Sequence, residues 1–220
     1  MIEYLIGAGT IGAAALVSKL LQLEQTQPTL EIHHRPFPLE WREILEKEWP
    51  IYCRLPENLR DQLEQLTLVF LERIEIRGID GLEITDEIRV LTASQACLLL
   101  VNQNTFFPAK LKSVVMRPSA YTATQYDSVG GVQSEREIHV LGQSWESGLV
   151  VLSWDNTHTG ATNTMDGRNL ALHEFAHQLD QADGQADGAP ILGSPEQYSR
   201  WQSVCSKVFT DLQAKVNEGD

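Results

Sequence analysis

Cysteine is scarce and unpatterned in this chain. Cys53, Cys97 and Cys205 are odd in number, far apart and in no CxxC spacing. That excludes a disulfide scaffold or a cysteine-held zinc module and fits free thiols in a reducing compartment. Basic residues are also few: 17 Lys and Arg against 30 Asp and Glu leave a formal charge of -13. With no basic cluster to overcome that background, a polyanion is repelled, and a nucleic-acid partner is not expected. The extremes of composition are absent too. An apolar fraction of 42% and a charged fraction of 21% are those of a folded globular protein, and 220 residues suffice for one substantial core but would cramp two domains.

Long apolar stretches are confined to residues 4–23, YLIGAGTIGAAALVSKLLQL. As a helix this run would extend about 30 Å, the thickness of a bilayer core, and it admits three readings. A membrane anchor is one, with Lys19 at its end placing the domain behind it on the cytoplasmic side. A signal peptide is a second, but Glu3 stands where a basic residue belongs. The third is a dinucleotide-binding turn, since Gly7, Gly9 and Gly12 spell GxGxxG. That motif needs a βαβ unit behind it, whereas residues 25–38 read as a linker containing Pro28, Pro36 and Pro38.

Beyond the linker the spacing predicts a helix over Leu39–Glu48 and another over residues 56–73, where Leu59, Leu63, Leu66 and Phe70 form an apolar stripe. Residues 74–76 and 82–84 alternate as two short strands would around the turn Gly78 to Gly81, and residues 85–101 return to helix. Residues 114–116 read as extended, with a polar loop through Gly130 and Gly131 behind them. Residues 138–141 and 149–154 then read as two strands around a turn over 142–148. Strand 149–154 is expected to be the sheet edge on which an extended peptide pairs. Helices, a small sheet and a final helix after another polar loop argue for an α+β fold.

That final helix carries His173-Glu174-Phe175-Ala176-His177. Two imidazoles four residues apart lie on one face, because four residues advance about 400° at roughly 3.6 residues per turn. Both can reach one ion, and zinc accepts imidazole nitrogen while keeping a position for water. Glu174, beside the first ligand, is placed to take a proton from that water as general base. Asp166-Gly167 supplies a helix start and Gly184 a stop, so the motif stands on a helix as the chemistry requires.

The segment from Gly167 to Asp180, with Asp183-Gly184 and residues 186–190 behind it and Gly142-Gln-Ser-Trp145 and residues 148–154 ahead, resembles the MtfA-like zinc-dependent peptidases, the Mlc titration factor A family. Weaker similarity runs back to about residue 36 and leaves the apolar N-terminal run outside. The resemblance implies a zincin-like fold, residues 39–220 as a peptidase domain, His173 and His177 as zinc ligands and Glu174 as general base. It also implies a peptide or protein substrate and, in one bacterial branch, a regulatory protein partner for which no residue here can be matched.

In the family a glutamate on a later helix is the third zinc ligand, and no segment of that type precedes Asp220. The expectation is therefore a C-terminally incomplete peptidase domain that holds zinc weakly. Asp183 and Glu196 are poor substitutes by spacing, and Asp180, one turn past His177, reads as a partner for a ligand imidazole. His33, His34, His139 and His158 read as structural or solvated, with His158 in the loop before the metal helix. Two functions remain open: a zinc metallopeptidase, or a catalytically incomplete regulator that keeps the fold and works by binding a protein.

Overall fold

The computed structural model describes residues 35–103, 105–129, 132–140, 142–145, 147–184 and 188–218. The apolar run, with its anchor and dinucleotide readings, and most of the linker lie outside them, as do Gly130, Gly131 and Asp187. Among the described residues no helix is long and apolar enough to cross a membrane.

Three helices open the fold: α1 (Leu39–Glu48), α2 (Pro50–Arg54) and α3 (Glu57–Arg73). The stripe expected on α3 is buried at Leu63, Leu66 and Phe70. Then come β1 (Glu75–Gly78) and α4 (Asp86–Leu98), whose Ile88, Val90, Leu91, Ala93, Ala96 and Cys97 are all buried. A helix apolar on nearly every side must be covered on every side, and α1, α3, α5 (Trp154–Thr162) and α6 (Leu170–Asp180) all pack on it. Thr85 starts α4 by accepting a hydrogen bond from the Ile88 amide.

The main sheet has the order β1, β2 (Ser113–Arg117), β6 (Leu149–Ser153), β5 (Gly142–Trp145). The first three strands are parallel and β5 is antiparallel to β6. Val114 pairs with Val150 and Met116 with Leu152, and these four side chains are buried on one face. A second, two-stranded sheet is the hairpin β3 (Tyr121–Val129) and β4 (Val132–Val140). After α6 and a short 3-10 turn (Gln181–Asp183), α7 (Pro195–Glu218) closes the described chain. Helices around a small mixed sheet give the expected α+β, zincin-like architecture.

Four sequence expectations are corrected. Residues 82–84 form no strand: β1 takes β2 as a parallel partner, and at Gly78 the chain doubles back so closely that a Cβ would meet the Leu82 carbonyl oxygen. The polar stretch around residue 130 is flanked by nine-residue strands on both sides, hidden because TATQYDSV and QSER show no apolar alternation. The partner of β6 is Gly142–Trp145, inside the expected turn, whereas residues 138–140 pair with β3. Finally, β6 lies between β2 and β5, so it offers no free edge. Among the described strands of this sheet the edge beside β6 is β5.

Candidate metal centre

Three fixings hold α6. At its start Asn169, not Asp166, is the cap: its side-chain oxygen accepts from the Leu172 amide at 2.8 Å. The same side chain donates to Gln95 Oε1 at 2.8 Å and to the Gly160 carbonyl at 2.9 Å, tying the cap to α4 and α5. In the middle, Phe175 is fully buried, its ring 5.5 Å from Phe70 and 5.4 Å from Phe107 between centroids. Near the end, Gln178 donates to Ser144 Oγ at 2.6 Å and to the Trp145 carbonyl at 3.1 Å, fastening β5 to the helix.

With Ala171, Phe175 and Gln178 turned inward, the helical period leaves His173 exposed and His177 half-buried on the outer face. Their Nε2 atoms stand 3.2 Å apart. Glu174 is buried at 6% exposure beside the edge strand, where Gly142 is so near that a Cβ would come within 3.0 Å of Glu174 Cγ and Oε1. Burial pushes the Glu174 carboxyl above the ordinary carboxylate range, and the charge of neighbouring His173 opposes that.

Cavities open on both sides of His173. One, of about 460 Å³, runs past His177 and Ala176 to Leu99, Leu100, Leu179 and Trp201. The other, of about 520 Å³, is more polar and is bordered by Asn156, Thr159, Asp166 and Arg168. A site on an exposed helix face flanked by two clefts can receive an extended ligand.

Among the described residues neither substitute for a third ligand, Asp183 or Glu196, nor Asp180 joins the two histidines in a ligand group. Asp180 Oδ1 accepts from the Gly188 amide at 2.8 Å and does not bond to a ligand imidazole. A hydrogen bond from Ser194 holds the Glu196 carboxyl below the ordinary range, at the start of α7. Among the described residues no carboxylate, Asp183 included, completes a three-ligand group with the two histidines. His158 stands on α5, not in a loop. Gly142, Asn169 and Gln178 do not stand out in the sequence as residues of the site. Asn169 alone carries a local signal, a capping residue directly before an apolar run.

A model of the glucose-regulated metallo-peptidase M90 family matches residues 22–220. An uncharacterized protein of Synechocystis sp. is 33% identical over 188 residues, covering 84% of this chain and 68% of that protein. Mlc titration factor A of Klebsiella pneumoniae is 26% identical over 171 residues, 76% of this chain and 63% of its own. The protein of that name in Escherichia coli O127:H6 is 26% identical over 181 residues, 81% and 66% respectively. The chain thus spans about two thirds of the length of these relatives. With its α+β zincin-like fold and a His-Glu-Phe-Ala-His helix presented between two clefts, the chain belongs to the glucose-regulated metallo-peptidase M90 family.

Proposed function

We propose that this chain is a zinc-dependent metallopeptidase in which His173 and His177 hold the ion and Glu174 is the general base, with residues 39–220 as the peptidase domain. The observation that carries the reading is the 3.2 Å separation of the two Nε2 atoms. Two nitrogens each roughly 2.0–2.1 Å from one ion, at a tetrahedral angle, stand about 3.3–3.4 Å apart, so the pair fits zinc almost as it stands. Zinc held there would lower the pKa of water towards about 7 and polarise a peptide carbonyl.

The chain's own groups supply the rest. The Glu174 carboxylate, one residue from the first imidazole, accepts the proton that water gives up and passes it to the departing amine. Its enclosure by Gly142 and Leu170 limits the positions it can take. Among the described residues β5 pairs with β6 alone, so its other edge can offer backbone donors and acceptors to an extended peptide, and Gln178 keeps β5 against α6.

A regulator that binds a protein partner without catalysis is the second reading. It is favoured by the absence of a third ligand beside the histidines among the described residues and by the name titration factor carried by two relatives. Peptide cleavage by the zinc-loaded protein separates the two. Glu174→Gln is expected to keep its zinc and lose at least about two orders of magnitude in turnover. Cleavage near the parental rate in that variant would overturn the mechanism, and zinc-loaded parent protein without any cleavage would favour the regulator.

We place the protein in the cytoplasm, which suits three free cysteines, with residues 4–23 as a membrane anchor. Fractionation of the full chain against one beginning at Gln25 checks this: the full chain is expected with membranes, and equal distribution would remove the anchor.

A further inference from the structure

His158 meets two carboxylates brought from other helices: Glu48, the last residue of α1, and Glu87, in the first turn of α4. Its Nε2 stands 3.2 Å from Glu48 Oε2 and 3.6 Å from Glu87 Oε1. One ligand-type atom from each of the three lies within 4.8 Å of the other two, and among the described residues no other trio of His, Cys, Asp and Glu does this.

Three features distinguish this trio from a surface ion pair. The separations of 3.2 and 3.6 Å bracket the edge of about 3.3–3.4 Å expected between ligands of one tetrahedral ion. A hydrogen bond from Nε2 reaches Glu48 and leaves Glu87, at 3.6 Å, as a neighbouring charge only, whereas a cation at the centre would engage both. Two of the three ligand groups are also confined: Glu48 is only 17% exposed, with its other oxygen met by Lys47 Nζ at 2.6 Å, and the Trp154 ring packs edge-on against the imidazole, centroids 5.3 Å apart.

We propose that Glu48, Glu87 and His158 form a second divalent-metal site, separate from α6, that takes zinc or a similar first-row cation through one imidazole nitrogen and two carboxylate oxygens. The two carboxylates balance the charge of the ion. His158 at 35% and Glu87 at 44% side-chain exposure leave the fourth position open to water. Because α1, α4 and α5 each give one ligand, the ion clamps three helices and acts in stability, not in cleavage.

The test uses the full chain carrying His173→Ala and His177→Ala, stripped with chelator and dialysed against zinc alone. About one zinc per chain is expected to remain, with a melting temperature that rises with zinc. His158→Ala in that background should abolish both. Glu87→Gln, nearly isosteric and at a half-exposed position, should weaken zinc at least about tenfold, as loss of a charged ligand does, and it carries the test if His158→Ala does not fold. Absence of zinc in the background protein, or zinc binding and thermal shift unchanged by both substitutions, would overturn the site.

Discussion

Gly142 stands where a single methyl group would reach the candidate centre. A Cβ there would lie 2.9 Å from Leu170 Cδ1 and 3.0 Å from Glu174 Cγ and Oε1. These are side-chain atoms, not backbone, so Gly142→Ala is expected to fold while turning the Glu174 carboxylate aside. Turnover should fall about tenfold or more, since displacements of an ångström carry such costs, with zinc content unchanged. Parental turnover in this variant would show that the carboxylate has slack. His173, Glu174 and His177 are legible in the sequence because a helical spacing of four is local and needs no knowledge of the fold. Gly142 and Gln178 are not. Their contacts cross 32 and 34 residues, Gly142 to Glu174 and Ser144 to Gln178, and no local pattern encodes them.

At the scale of elements, α6 depends on its first residues. Asn169 caps the helix and also satisfies the buried Gln95 and the Gly160 carbonyl. Asn169→Ala should cost about 2 kcal/mol, the upper end of a cap loss, because a buried partner is left unsatisfied as well. Chemical denaturation checks it, and a loss below about 0.5 kcal/mol would mean that the cap is dispensable. The elements readable from sequence are those with an apolar period or run: the helices α1, α3, α4 and α6 and the strands β1, β2 and β6. The others have different supports. The helix α5, WDNTHTGAT, is built from poor helix formers and is held by burial of Thr157, Gly160 and Ala161; its Thr159 and Thr162 hydroxyls bond back to carbonyls four residues earlier, which adds no helix stability. In β3 and β4 the support is mutual pairing, which a single strand's composition does not reveal.

Across the whole molecule, the candidate centre is tied to the core by one residue inside the metal motif. Phe175, between Glu174 and His177, closes an aromatic cluster with Phe70 of α3 and Phe107 of the segment before β2. Phe175→Ala should cost about 3–5 kcal/mol, a large part of a domain stability of roughly 5–15 kcal/mol, and should loosen zinc together with the fold. Zinc affinity unchanged despite such destabilisation would mean that the histidines are placed without the core. The most direct test of the central claim is a zinc titration of the chelator-stripped protein, with peptide cleavage measured in the same samples. The expected result is cleavage that rises with zinc at the α6 histidines, vanishes with chelator and is absent in His173→Ala; cleavage that persists without zinc, or in His173→Ala, would contradict it.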